Sequence, residues 1–376
     1  MALTSLFFYG TLRHTALLEL VLGRGRDQMD LVEAQLDGHG VFWVKDQPFP
    51  MIAAADGQAA SGLLLRDASE EDVARLDYYE GGFAYDLRTI QVRMPDTALV
   101  AAQVYFPQPG LLSPGAPFDL QDWVAQWGEI SLDAAEDAMA HFGQWSAEEL
   151  AVKLPMLRRR ADTRRMARAR APSPEPHPPV DQVEVLTRTR VHSHFFALDR
   201  MELRHPRYDG TQSPVLDREV VFAGCAVVIL PYDPVRDEVI LVEQFRPNIF
   251  ALGDPSPWVI EAIAGLVDPG ETPETAAIRE AAEEAGVQVQ TLEQISAAYS
   301  STGSNTEFLT TYVALADFSA LDDGGGLASE GEDIRRIVIP YAAFEEGLRS
   351  FRFRDAPLIG AGFWLMANRD RLRGSA

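Results

Sequence analysis

The chain has 376 residues, 47% of them hydrophobic, and its 33 basic side chains against 56 acidic ones leave a formal charge of −23. That length predicts two domains with apolar cores of their own, and the composition argues against disorder. A single cysteine excludes a disulfide framework or a multi-cysteine zinc site and fits a reducing compartment, while the acidic balance argues against nucleic acid or an anionic membrane as partner.

In chain order, residues 3–9, 61–65, 89–92 and 99–106 read as short strands and 69–79 as a helix, an α+β pattern. Trp123, Val124, Trp127, Ala135, Met139 and Phe142 recur at helical spacing, which predicts an appended helical pair over 119–157. Residues 151–170 carry Lys153 and seven arginines, from Arg158 to Arg170, against Asp162 alone, a net charge of +7. Such a segment is compatible with a solvated helix end, with a cation lying on acidic patches of its own domains, and with proximity to an anionic ligand. Five prolines in residues 171–180 then mark a stiff spacer.

Beyond the spacer, strands at 220–230 and 238–244 flank the turn-rich residues 233–237, a hairpin signal. Further strands at 258–264 and 308–315 and helices at 273–285, 341–349 and 357–371 predict an α/β/α sandwich around a mixed sheet. The resulting division is 1–115, a helical extension 116–170, a linker 171–182 and a second domain 183–376. No apolar run approaches the roughly 18 residues of a membrane span, and no basic leader with a sustained apolar run opens the chain, so the cytoplasm is the expected location.

Residues 265–287 hold six acidic side chains and one basic one. Thr272 is the expected N-cap, Pro273 sits at the tolerated first helical position, and Gly286 suits a left-handed C-terminus. Glu280, Glu283 and Glu284 then stand at i, i+3 and i+4 on one helix face. Like charges there repel, and a hard divalent cation, Mg²⁺ or Mn²⁺, reverses the sign, particularly when a substrate phosphate completes its shell. Spacing alone is equally consistent with a solvated acidic face. Arg279 is placed to pair with Glu271, brought back by the loop between Gly265 and Gly270.

From Gly265 through Glu271 to Arg279-Glu280 and Glu283-Glu284, every charged position of the segment resembles a complete Nudix box. The resemblance implies that Glu280, Glu283 and Glu284 ligate metal, with Glu283 also counted as catalytic, that the Ala264 carbonyl completes a metal shell, and that Gly265, Glu271 and Arg279 hold the loop to the helix. Residues 185–365 resemble bacterial ADP-ribose pyrophosphatases, notably at Phe195-Phe196, 230–238, 243–246 and 326–335. That implies Phe195 stacking on adenine, Arg218 and Arg246 contacting the nucleotide, Glu330 as general base and Glu332 as a further metal ligand. It also implies a nucleoside diphosphate sugar substrate, AMP and ribose 5-phosphate as products, and a homodimer through this domain in which Phe195 acts in trans. Thr302 departs from the proline common in such relatives, so another nucleotide sugar stays open as substrate, and so does nucleotide sensing without turnover.

Phe8-Tyr9-Gly10-Thr11-Leu12 after the first strand, with Leu76-Asp77-Tyr78-Tyr79-Glu80-Gly81, resembles the γ-glutamylcyclotransferase-like family over about the first 110 residues. The resemblance implies a mixed β-barrel with helices, substrate binding by Tyr9, Gly10, Thr11 and Leu12, and Glu80 as acid/base. The bland alternatives are an ordinary Tyr-Gly turn, a Glu80 that pairs with Arg88, and a non-catalytic module. The pairing of the two domains resembles fusions associated with tellurite resistance.

Overall fold

Alternating apolar residues build the first half of the chain around a closed ring of strands. The computed structural model describes residues 4–81, 85–172, 174–321 and 333–374. Its contacts divide it into two units, 1–172 and 173–376. In the first unit the elements are β1 (Thr4–Phe8), α1 (Thr15–Leu22), β2 (Leu31–Val44), β3 (Pro50–Ala68), α2 (Glu70–Glu80), β4 (Tyr85–Arg93), β5 (Leu99–Pro107), β6 (Pro114–Pro117), α3 (Leu120–Trp123), α4 (Glu129–Met139) and α5 (Ala147–Arg168). The strand order β3-β1-β5-β4-β2 closes on itself through a β2–β3 ladder, and β6 is added to β2. The expected mixed barrel is therefore a five-stranded one.

The period of two sorts side chains between its two faces. Phe7 and Tyr9 join Leu36, Ile52, Leu64, Val92 and Val104 inside the ring. Leu6 and Phe8 face outward and pack with Leu17, Leu18, Leu76, Trp123, Leu150 and Leu157 of the helices. Ser69 accepts from Asp72 N at 3.1 Å and donates its own N–H to the Asp72 carboxylate at 2.8 Å, a capping box that fixes the start of α2 and so carries Glu80 to its last turn.

Two expectations need revision here. Residues 61–65 are only the end of the long β3, and its partner β2 escaped the sequence reading. Gly38 at φ 72° and a register shift between Asp37 and His39 interrupt the alternation in β2, although the ladder continues past them. The helical pair expected over 119–157 also runs on, within the expected extension 116–170, because the Ser146–Glu149 capping box starts a 22-residue α5 that contains Pro155 and every arginine of the run except Arg170.

The second unit contains β7 (Glu184–Ser193), β8 (Ala197–Arg204), β9 (Leu216–Phe222), β10 (Cys225–Asp233), β11 (Glu238–Phe245), α6 (Pro247–Leu252), β12 (Trp258–Glu261), β13 (Ile263–Leu266), α7 (Pro273–Ala285), β14 (Thr291–Tyr299), β15 (Phe308–Leu315), β16 (Arg335–Pro340), α8 (Tyr341–Arg349) and α9 (Ala356–Gly374). β7-β8-β9 form one antiparallel sheet; β12-β11-β10-β15-β14, with β13 on β10 and β16 on β11, form the other. Only β10–β15 is parallel within the second sheet, so it is mixed.

β10 is buried throughout, as a central strand with both faces covered should be. Val228, Leu230 and Tyr232 pack with Phe344, Leu348, Leu358 and Leu365 of α8 and α9. The alternate residues Val227 and Ile229 are equally buried, and α7 packs against β10 and β13. This is the expected α/β/α sandwich. The single strand expected over 220–230 is in fact two, β9 and β10, because the chain leaves one sheet for the other at Ala223-Gly224. Likewise 258–264 breaks at Ala262 into β12 and β13. The expected turn holds: Asp233 accepts from Val235 N at 2.8 Å and Arg236 N at 2.9 Å, and Asp237 takes φ 60°.

Candidate active sites

α7 has the ends its sequence dictates. Thr272 Oγ1 accepts from Thr275 N at 3.2 Å, Pro273 opens the helix, and Gly286 closes it at φ 65° with its N–H on the Ala282 carbonyl at 3.0 Å. The preceding loop is tied to it by Arg279. Its Nε and Nη2 reach the two Glu271 oxygens at 3.1 and 3.0 Å, and Nη2 also donates to the Leu266 carbonyl at 3.0 Å. Glu271 in turn accepts from Asp268 N at 3.1 Å. The hydrogen bonds to Glu271 and then to Glu280 outweigh burial and raise the Arg279 pKa above its ordinary value.

The carboxylates converge. Arg279 Nη1 donates to Glu280 at 2.7 Å and to Glu283 at 3.1 Å. Glu284 is only 4% exposed, and its Oε2 accepts from Ala264 N at 3.4 Å. Glu280 lies so close to Gly265 that a Cβ there would stand 1.9 Å from its Oε1. Ala264, Gly265, Glu271, Arg279, Glu280, Glu283 and Glu284 thus form one cluster, built where α7 meets β13. Among the described residues no three His, Cys, Asp or Glu side chains form a metal cage unaided. The donors nevertheless fit a hard divalent ion, because two of the carboxylates already converge on one cationic nitrogen and a third carboxylate reaches the adjoining strand.

Arg246 follows β11 and is clamped by Glu261, a residue the sequence reading missed, with Nε at 3.0 Å from each oxygen and Nη2 at 2.7 Å. Burial opposes the charge of Arg246, but Glu261 and, less directly, Glu284 and Asp355 raise its pKa. Asp355 was also missed. Burial lifts its carboxyl to about 6, against a hydrogen bond from Leu358 N at 2.9 Å.

The remaining nucleotide candidates lie elsewhere. Phe195 sits in the β7–β8 turn, 48% exposed and edge-on to Phe196. Arg218 is exposed on β9 and donates to the Asp217 carbonyl at 2.8 Å. Thr302 is exposed between β14 and β15. Glu330 and Glu332 lie outside the described residues.

In the first unit a cavity of about 110 Å³ holds room for roughly ten waters. Tyr9, Gly10, Thr11 and Leu12 line it after β1, and Glu80 lines it from the end of α2. Burial lifts the Glu80 carboxyl to about 7, with the Arg158 charge pulling the other way. Burial, then Tyr85 and Glu80, push the Tyr9 hydroxyl well above its ordinary value. Arg88 does not take Glu80: it stands 3.6 Å from Asp86 and over the Phe106 ring. Arg158, read from sequence only as part of a charge run, lines the same cavity.

Comparison with known proteins matches residues 6–125 to the family described as gamma-glutamyl cyclotransferase, AIG2-like, and residues 224–358 to the NUDIX domain. The ADP-ribose pyrophosphatase of Escherichia coli (strain K12) is 34% identical over 193 residues, 51% of this chain and 92% of the relative. That of Haemophilus influenzae is 38% identical over 197 residues, 51% of this chain and 90% of its own. The GDP-mannose pyrophosphatase of Cronobacter sakazakii is 32% identical over 178 residues, 47% of this chain and 91% of its own. With its carboxylate helix intact and an AIG2-like domain in front, the chain belongs to the Nudix family and is a hydrolase acting on phosphoric anhydrides.

Proposed function

We propose that the second unit hydrolyses ADP-ribose to AMP and ribose 5-phosphate with a divalent ion, Mg²⁺ or Mn²⁺. The observation that carries this reading is the convergence of Glu280, Glu283 and Glu284 beside a loop locked by Glu271 and Arg279. Those three carboxylates and the Ala264 carbonyl would hold the ion, which spreads pyrophosphate charge and lowers the pKa of bound water. Arg246, held in place by Glu261, presents a fixed cation for phosphate oxygens; Arg218 and Phe195 supply a second cation and an exposed ring for the nucleotide. Glu330 is the proposed base and Glu332 a further ligand.

Incubation with a nucleotide-sugar panel that includes ADP-ribose and GDP-mannose, with and without Mg²⁺ or Mn²⁺, should release AMP fastest from ADP-ribose and only with metal. Faster GMP release from GDP-mannose would replace the substrate, a change consistent with Thr302, and binding without turnover of any member would leave a sensing protein. A homodimer through this unit is part of the proposal, supported by the open edge of β7 and the exposed Val185, Val191 and Phe195. Among the described residues no helix is long and apolar enough to cross a membrane, and the cytoplasm remains the proposed location.

A second reading, favoured by the cavity, gives the first unit a γ-glutamylcyclotransferase activity. Glu80 would take a proton from the attacking α-amine and return it to the leaving amine, a task suited to a carboxyl near 7. The same shift has a stability signature. Between its ordinary 4.5 and about 7, the folded state keeps a proton that the unfolded chain has released, so this group's contribution to stability falls as pH rises through that window. Glu80→Gln, which removes the cost of charging, should stabilise the unit by on the order of 2 kcal/mol at pH 8 and hardly at pH 4.5. Thermal melts at the two pH values check this, and equal shifts at both would contradict a buried, raised carboxyl.

A further inference from the structure

α5 carries most of the chain's densest positive run, yet its arginines are not equivalent. Arg164 reaches Asp137 at 3.1 Å and the Asp133 carbonyl at 2.9 Å. Arg165 pairs with Asp162 at 2.6 Å, and Arg168 with Glu129 at 2.6 Å and Asp133 at 2.5 Å. Arg158 differs: among the described residues its guanidinium makes no hydrogen bond and no ion pair, and it feels Tyr79 and Glu80 only through space. It is half-buried, and the surface it retains opens into the cavity beside Glu80. A guanidinium held in such a place without a hydrogen-bonding anion carries a desolvation cost that a ligand anion would offset.

The position of α5 sharpens this. The cyclotransferase family match ends at residue 125, while Ser131, Leu154 and Arg158, all from later helices, complete the cavity wall. A charged wall residue therefore comes from a helix beyond the matched segment, across the chain from the Tyr9–Leu12 turn. With Glu80 titrating near 7, the fixed charge of the cavity at neutral pH is Arg158.

We propose that Arg158 is the specificity-determining residue of this cavity, binding a carboxylate of a small ligand through its guanidinium fork, so that α5 selects ligands with a free acid at that end. The inference rests on the cavity being a ligand site, which the second reading above also requires, but not on turnover there. A planar fork suits a carboxylate bidentately, and charged hydrogen bonds of this kind discriminate acid from amide by about tenfold or more.

The test uses calorimetry on the full chain with three probes: γ-glutamylglycine, the same dipeptide as its C-terminal amide, and glutarate. The unaltered protein should bind the free acid at least about tenfold tighter than the amide. Arg158→Met should weaken the free acid by about tenfold and leave the amide within about twofold, and Arg158→Lys, which keeps the charge but loses the fork, should retain only part of the preference. If Arg158→Met weakened both dipeptides alike, Arg158 would not distinguish the terminal acid from its amide, and the proposal would be overturned. It would equally be overturned if no probe bound at about 10 mM. Arg158-dependent binding of glutarate or of the free acid, with no cyclisation of the dipeptide, would remove the cyclotransferase reading and leave this one standing.

Discussion

Glu284→Gln should lower kcat for nucleotide-sugar hydrolysis by about a hundredfold or more while the protein stays folded. Glutamine keeps the shape of the side chain and can still accept from Ala264 N, so the junction between α7 and β13 survives. What disappears is one negative charge in a nearly buried position, beside Glu280 and Glu283. Its repulsion by the neighbouring carboxylates is offset in part by the Arg246 charge, so the melting temperature should change little. Steady-state kinetics with a thermal melt of the same preparation separates the two effects. Activity within about twofold of the unaltered chain would mean that Glu284 holds no catalytic cation.

Gly265→Ala should have the second largest effect, from a single methyl group. The glycine lies in β13, paired with Val227, and its backbone is one that alanine can adopt. The obstacle is Glu280: the new Cβ would stand 1.9 Å from Oε1, 2.0 Å from Cδ and 2.5 Å from Oε2. The carboxylate must swing away, and in doing so it leaves Arg279, now 2.7 Å distant. Because the displaced group is the end of a flexible side chain, stability should fall by only about 1 kcal/mol. Turnover should fall by about tenfold or more, since one oxygen donor has been moved by more than the tolerance of an ordered site. A variant with full activity would show that Glu280 need not occupy the place it takes against β13.

The carboxylate helix was legible because its signals are local. A cap and a proline at one end of a thirteen-residue helix, a glycine just past the other end, and three glutamates on one of its faces determine one another without reference to the rest of the fold. The same holds for the Asp233 turn. β2 was not legible, since a left-handed glycine and polar residues break its period while the ladder to β3 runs on. Glu261 and Asp355 were missed for another reason: their relation to Arg246 exists only after β11, β12 and α9 have come together. Arg158 shows the limit of composition. As one of seven arginines it could not be told apart from the rest of a run left open to a solvated, an acidic-patch and an anionic-ligand reading, and only the packing of α5 distinguishes the residue that faces a cavity from those that bind neighbouring aspartates.

The ring of the first unit is in effect two long hairpins, β2–β3 and β4–β5, stitched at narrow seams. One seam is the single β2–β4 pair, Gln35 with Arg93; the other is the parallel β1–β5 pair, Leu6 with Gln103. The second seam borders the cavity, which Phe7 and Phe8 line from one side and Tyr105 from the other. Opening it would leave both hairpins intact and far-ultraviolet structure almost unchanged, yet would part the two walls that a ligand touches. Occupancy and seam closure are therefore thermodynamically linked: whatever fills the cavity acts as a clasp on the ring, and whatever loosens the seam weakens the ligand.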